Sequence, residues 1–446
     1  MKDYLRTLIE RRKNGDLCGI PSYCTAHPIV LEACLELGRR NNQPVLIEAT
    51  ANQVNQFGGY TGMTPSDFRD MVYGIADKVG FCKQKLILGG DHLGPLIWSN
   101  LPEKEAMEKS KELVYAYVKA GFKKIHLDTS MKLADDAVDS PLDNCVIARR
   151  GAELYAACAK AYQELLRDNP EEQRPVFVIG SEVPIPGGAQ GKEDTLSVTK
   201  PEDLEKTLTA YKLAFREIGT PEAFDNIIAV VVQPGVEFDN ESFFRYDPVA
   251  AEALTRQARM HSSIVLEGHS TDYQPPEALR EMVRDGIAIL KVGPALTFAL
   301  REGLFALSFM ERELLPGSKQ AHFPEGLEQL MLIDPVKWEK YYPGTDQEQR
   351  LSRKYSFSDR CRYYLMEPEA EAAILHLLDN MNCVHIPPNL LHQFMPLQYE
   401  KVIRGSLGTT ASELLKDFVE TAAEPYICAC FPKCSTDQPE REGEKA

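Results

Sequence analysis

The sequence predicts a closed, parallel (β/α)8 barrel of the TIM type, followed by a helical C-terminal extension. Three observations carry that expectation. Eight short, β-rich apolar runs recur between about residue 17 and residue 293. Longer stretches of helical period separate them, and beyond about residue 316 only helical period remains. A strand followed each time by a helix implies parallel pairing, and eight such units are the number that closes a barrel. An open doubly wound sheet is the alternative, but it would need an edge strand to stop at.

The runs, in order, are Leu17–Cys24, Val45–Thr50, Leu86–Gly90, Lys124–Ser130, Val176–Glu182, Ile227–Gln233, Ile264–His269 and Ile287–Gly293. Between the second and third, Phe68, Met71, Val72, Ile75 and Val79 form one apolar helical stripe. Thr64-Pro65-Ser66-Asp67 in front of it supplies a cap and a proline tolerated in the first turn. After the fifth run, Leu204, Leu208, Tyr211 and Phe215 repeat the pattern, opened by Pro201-Glu202-Asp203. The barrel is therefore expected over residues 1–315 and a helical region over 316–434, with a disordered polar tail over 435–446. The expected C-terminal helices are Glu325–Met331, Asp359–Leu365, Pro368–Asn380 and Ala411–Ala422, packed on the barrel or on a partner subunit.

Composition narrows the function. Of 446 residues, 43% are apolar and 26% charged, ordinary for a globular chain with a large core. The net charge of −16 argues against a nucleic-acid surface, which needs Lys and Arg clusters. No apolar run approaches the ~18 residues of a membrane helix. The opening MKDYLRTLIERRKNG lacks a secretory core, and 11 scattered cysteines fit a reducing compartment, so a cytoplasmic protein is expected.

In a parallel barrel the chemistry sits where strands end at the carboxyl face. The third run ends in Asp91-His92 after Gly89-Gly90, and the seventh in Gly268-His269-Ser270-Thr271-Asp272. Glu182 closes the fifth. Two imidazoles and a carboxylate from three strands can converge on one ion with an open position, the pattern of a catalytic metal site. His92, His269 and Glu182 are thus the expected ligands. The alternative for each is a satisfied polar group of the core. His126, Asp128 and Ser130 alternate and share a face, with Lys124 at its other end. Asp91 and Asp128, with Glu182, are the expected acid/base carboxylates.

Glu48, Asn52, Gln56, Gln233, Ser270, Thr271 and Asp272 are expected to contact substrate hydroxyls. The loops Asn52–Tyr60 and Pro184–Gly188 have the composition of lids or of long surface connections. Phosphate in barrels commonly lies near loops 7 and 8, which points to Gly268 and Gly293. The segment Tyr355–Arg362 offers Arg360 as a second anion grip, or a plainly capped helix. Lys291 suits either a Schiff base or a buried salt bridge. Cys428, Cys430 and Cys434 supply one ligand too few for a zinc knuckle. No GxxxxGK[ST] or GxGxxG loop occurs in the barrel, so no nucleotide cofactor is expected.

The words LIEATANQVNQFGGYTGM, GGDHLGP, KIHLDTSM, VVQPGVEF, HSTDYQ and LKVGPALTFALRE resemble the Z-type subunit family of tagatose-bisphosphate aldolases, neighbours of the tagatose-6-phosphate 4-epimerases. The resemblance runs through nearly the whole chain except the tail. It implies a class II aldolase-like barrel and a divalent metal, zinc first, with manganese, nickel or cobalt as alternatives. In class II aldolases an Asp-His pair on strand 3 supplies a base and a metal ligand, positions matched by Asp91 and His92, and His269 matches a further histidine. The chain departs at Gln233, where those enzymes carry a histidine; Glu182 is the expected substitute. The implied chemistry is metal-assisted cleavage and re-formation of the C3–C4 bond of a ketohexose or its phosphate. The expected outcome is 4-epimerisation between tagatose and fructose configurations. The alternative is a non-catalytic subunit that stabilises a separate class II aldolase chain. An oligomer is expected in either case.

Overall fold

The computed structural model describes residues 3–181 and 196–432. Its strands are β1 (Ile20–Cys24), β2 (Val45–Thr50), β3 (Leu86–Leu93), β4 (Lys124–Leu127), β5 (Val176–Ile179), β6 (Ile227–Val232), β7 (Val265–Gly268) and β8 (Ile287–Val292). They pair in sequence order, each parallel to the next, and β8 closes on β1. The eight expected runs are these strands. β4 stops short of its expected end because Asp128 turns its carboxylate onto the amide and hydroxyl of Ser130.

A helix follows every strand, from α2 (Pro28–Arg40) after β1 to α9 (Pro294–Leu314) after β8. Pro65–Val79, after β2, opens with a reciprocal capping box between Thr64 and Asp67. Its Phe68, Val72 and Ala76 are buried. A short N-terminal helix, α1 (Tyr4–Lys13), ties to the barrel through Arg12, which donates to the Val283 carbonyl.

Period-2 alternation turns polar side chains of the strands into the barrel, where most folds of this kind carry apolar layers. Lys124 Nζ lies 2.7 Å from Glu48 and 2.8 Å from Glu267, all three fully buried. Lys291 Nζ reaches Glu48 at 3.0 Å and Asp91 at 2.7 Å, which is the salt-bridge alternative for this lysine. Ser22 donates to Glu48 at 2.7 Å. Gly89 makes room for this layer, since a Cβ there would stand 2.7 Å from the Glu48 side chain.

Beyond α9 the chain is helical and packs on the barrel, except that the expected helix Asp359–Leu365 is a short 3-10 turn, Arg360–Tyr363, because Asp359 is left-handed. Phe323–Ile333, Asp346–Tyr355 and Pro368–Asn382 precede two short helices and the long α15 (Ala411–Cys430). α15 lies against α2 and α9, and Gly19 beside β1 donates to the Cys430 carbonyl at 3.0 Å. Tyr426 hydroxyl donates to the Thr271 carbonyl at 2.7 Å. Cys430 is therefore a buried packing residue; Cys434 and the polar tail lie outside the described residues. Among the described residues no helix is long and apolar enough to cross a membrane.

Candidate active site

A cleft of about 650 Å³ opens at the carboxyl ends of the strands. Its floor carries Asp91, His92, His269 and Lys291, and its rim Asn52, Gln53, Tyr60, Ser270, Asp272, Arg362 and Tyr363. Two local distortions aim the floor residues. The β3–β4 register shifts between Gly90 and Leu93, a bulge that holds Asp91 and His92. His92 sits at φ +48° and Ser270 at φ +52°, left-handed conformations that cost a non-glycine residue energy and cluster at functional sites.

Three imidazoles gather there, each bonded to its own carboxylate. His92 Nδ1 is 2.8 Å from Asp128, His126 Nδ1 2.9 Å from Asp91, and His269 Nε2 3.0 Å from Glu267. Carboxylates placed this way fix the ring and tautomer of a metal-ligating histidine. The ring centroids stand 4.9, 5.1 and 5.3 Å apart. Imidazoles on one tetrahedral ion at about 2.1 Å would place their centroids about 5 Å apart.

The electrostatics are those of buried charges at the base of a cleft. Burial alone would raise the Asp91 carboxyl, but His92, Lys291 and the His126 hydrogen bond outweigh it and hold it well below the usual range. Glu267 and Asp128 are likewise low, Glu267 through Lys124 and Lys291, Asp128 through His92. Burial drives His269 down to about 3, so its ring is neutral at pH 7, with Nδ1 not committed to Glu267. The four buried carboxylates Glu48, Asp91, Asp128 and Glu267 face only two buried lysines.

The donor set fits a metal ion. Asp91, His126, Glu267 and His269 each offer a ligand atom within 4.8 Å of the others. His126 Nε2 is buried with no hydrogen-bond partner among the described residues, an orphan that an ion would satisfy.

The comparisons with known proteins agree with this architecture. Residues 5–431 match the family profile described as "D-tagatose-1,6-bisphosphate aldolase subunit GatZ/KbaZ-like". The D-tagatose-1,6-bisphosphate aldolase subunit GatZ of Salmonella gallinarum is 47% identical over 96% of this chain and 99% of its own length. The Salmonella heidelberg protein of the same name is 48% identical over the same shares. The chain belongs to the GatZ/KbaZ-like family. Among solved structures, one titled a probable tagatose 6 phosphate kinase from Sinorhizobium meliloti superposes with a TM-score of 0.84. It is 44% identical over 92% of this chain and the whole of that one.

In this GatZ/KbaZ-like chain the floor carries both expected histidines, His92 and His269, and adds further candidate donors. His269 is in the cluster, but its companions are His126, Asp91 and Glu267; His92 is adjacent, with its Nδ1 bonded to Asp128. Glu182 lies outside the described residues. Asp91 and His92 both face the cleft, whereas Asp128 stands behind His92, its oxygens taken by His92 and Ser130. Asp128 is thus placed to orient His92, beneath the cleft rather than on its wall.

The substrate-contact set divides. Asn52, Ser270 and Asp272 are on the wall. Glu48 is not, because the two lysines hold it beneath the floor. Gln56 turns away to donate to the Lys109 carbonyl, and Gln233 accepts from the amides of Gly235 and Val236 to close its own turn. Thr271 is buried, donating to the Lys291 carbonyl. The Asn52–Tyr60 loop is stitched to itself through Gln53, Asn55 and Thr61, which opposes a lid role. Pro184–Gly188 lies outside the described residues.

The expected phosphate positions are engaged within the protein. The amides of Gly293 and Ala295, at the start of α9, are occupied by the Asp272 carboxylate at 3.0 and 2.8 Å. Gly268 is buried in β7, where a Cβ would meet Ile287 at 2.8 Å. Arg360 is buried and lies over the Tyr341 ring at 3.6 Å, off the cleft wall.

Proposed function

We propose that this chain is a metal-dependent enzyme acting on the C3–C4 bond of a ketohexose phosphate, most directly as a tagatose/fructose-type 4-epimerase. The observation that carries the reading is the set of three carboxylate-held imidazoles around Asp91 at the floor of an open cleft. A scaffold needs no such set, and burying it is costly.

The ion would be held by His126 and His269, with Glu267 as oxygen donor and Asp91 and His92 beside them. Zinc is the first expectation, with manganese, nickel or cobalt as alternatives. When bound, a divalent ion supplies Lewis-acid polarisation of the C2 carbonyl and C3 hydroxyl oxygens. The protein groups do the rest. Asp91 Oδ1 is fully used by His126, the His92 amide and Lys291. Among the described residues its Oδ2 has only His92 Nε2 at 3.7 Å and Cys24 Sγ at 3.9 Å, which leaves it to take the C4 hydroxyl proton. Lys291 holds Asp91 ionised between turnovers. Asn52, Ser270 and Asp272 orient the remaining hydroxyls. Cleavage followed by rotation of the three-carbon aldehyde and recombination inverts C4, whereas release of the aldehyde completes an aldol cleavage.

The reaction run in deuterated water tests the reading. Carbon–carbon cleavage keeps the C4 hydrogen, and deuterium at C4 of the product would refute it. His126→Ala and His269→Ala should each lose bound metal by elemental analysis; full metal content in both would dismiss the proposed ligands.

The word "subunit" in the names of the Salmonella relatives favours a second reading, a non-catalytic partner of a class II aldolase chain. Turnover of a ketohexose phosphate by the isolated chain separates the two. No activity alone, together with stabilisation of an added aldolase chain, would select the second.

A further inference from the structure

The C-terminal region contributes a cation to the barrel mouth that no described acidic group neutralises in contact. Residues 356–363 are clamped over the cleft from three sides. Asn240, from the loop after β6, accepts from Ser356 and Ser358 at 2.9 and 2.8 Å. Tyr273, from the loop after β7, donates to the Phe357 carbonyl at 2.6 Å. Thr297 and Arg301 of α9 bind the Asp359 carboxylate at 2.6 and 3.2 Å. Asp359 sits at φ +46°, which turns the chain so that the next residues, Arg360–Tyr363, form a short 3-10 turn against the rim.

That turn presents Arg362 and Tyr363 to the cleft. One Arg362 nitrogen, Nη1, donates to the carbonyls of Ser358 and Asp359, and Nη2 donates to the Tyr363 hydroxyl at 2.9 Å. Three of five donors are thereby used, leaving the Nε–H and one Nη2–H, two donors of a planar fork. No carboxylate lies within ion-pair distance among the described residues, although Asp272 is on the same wall with its Oδ1 committed to two amides. A guanidinium partly withdrawn from water with an open fork is the arrangement that takes a phosphate. Tyr60 closes the other side, packed edge-on against Tyr363 at 4.9 Å.

We infer that Arg362 is the phosphate-binding group of this cleft, so that the C-terminal region completes the substrate site in cis. The inference rests on the proposed sugar-phosphate reading for its substrate but not for its anion chemistry. It explains why the 356–363 segment is fixed to three separate barrel elements rather than left free for a partner chain.

Calorimetric titration of the full chain with inorganic phosphate, free D-tagatose and D-tagatose 6-phosphate tests it, in wild type and in Arg362→Gln and Arg362→Lys. Wild type should bind inorganic phosphate, and the phosphorylated sugar more tightly than either fragment. Arg362→Gln should weaken inorganic phosphate and the sugar phosphate by roughly 30- to 100-fold, the loss expected for a charge-assisted fork, with free tagatose unchanged. Arg362→Lys should fall between, keeping the charge without the fork. Equal weakening of free and phosphorylated sugar would overturn the assignment, as would unchanged phosphate binding in a folded Arg362→Gln. Because inorganic phosphate binding requires no turnover, an inactive enzyme that still loses phosphate through Arg362→Gln would count against the proposed reaction alone.

Discussion

Replacing Lys124 with methionine probes the ionic layer on which the site is built. Methionine fills nearly the same volume, so the change removes a charge and little packing. Glu48 would keep Lys291 at 3.0 Å and Ser22 at 2.7 Å. Glu267 would keep His269 at 3.0 Å but would otherwise have only Lys291 at 3.9 Å. Breaking one partner out of a buried pair typically costs about 3–5 kcal/mol, and the surviving lysine argues for the lower end, about 3 kcal/mol. Neutralising the stranded carboxylate should then recover part of the loss. Lys124→Met/Glu267→Gln is expected to be more stable than Lys124→Met by about 1–2 kcal/mol. Urea unfolding followed by circular dichroism measures both. A Lys124→Met loss under about 1 kcal/mol, or a double variant as unstable as the sum of its singles, would refute the reasoning.

Other expectations follow from single contacts. Asp128→Asn should leave bound metal unchanged and lower the rate by releasing His92, which it holds at 2.8 Å; a fall in metal affinity of about 10- to 100-fold would instead make His92 a ligand. Gly94→Ala would put a Cβ 1.7 Å from the Asp128 carbonyl and should cost about 3 kcal/mol or more, read as a fall in Tm. Burial holds His27 down at about 4, with its Nδ1 accepting from the Ile29 amide as a helix cap. A base depressed in the folded state gives stability that is present above its unfolded pKa near 6.5 and lost as pH falls toward 4. Wild type should therefore lose about 2–3 kcal/mol between pH 7 and 4.5 relative to His27→Asn, which keeps a capping acceptor. Matching pH profiles would remove His27 as the cause.

The barrel was legible because its signal is redundant. Each strand is an apolar run with a helical stripe behind it, so errors at individual ends, such as β4 stopping at Leu127, leave the count intact. Strand alternation places His126 on the inward face, whereas the adjacent Asp91 and His92 both reach the cleft only through the β3 bulge. Alternation could also have found Glu267, which lies two residues before His269 and shares its face. Depth was the missing coordinate. Glu48 and Asn52 read alike from the sequence, but one level down the barrel Glu48 meets two lysines, and one level up Asn52 meets the cleft. Loop polar groups were harder still. Gln233 closes its own turn and Gln56 donates to the Lys109 carbonyl, and whether an amide serves backbone or a ligand depends on local geometry that spacing does not encode. In the 356–363 segment the arginines differ by the handedness of one residue, Asp359, which sends Arg360 inward onto Tyr341 and Arg362 to the cleft.

The distribution of charge also bears on whether the chain acts alone. Desolvated carboxylates and lysines lower stability relative to an apolar layer, so their presence calls for a compensating use. A pure docking subunit would gain by filling the barrel with leucine and valine, as its remaining layers are filled. Here the ionic layer rises directly into the floor. Lys124 binds Glu48 and Glu267, Lys291 binds Glu48 and Asp91, and those carboxylates in turn orient His269 and His126. A stack that couples barrel core to strand-end imidazoles sets ring orientation from below, independently of any lid or partner. The rim is supplied by the chain's own C-terminal region through Arg362 and Tyr363. Floor and rim both come from one polypeptide, which is what a chain with its own substrate requires and what a stabilising partner does not.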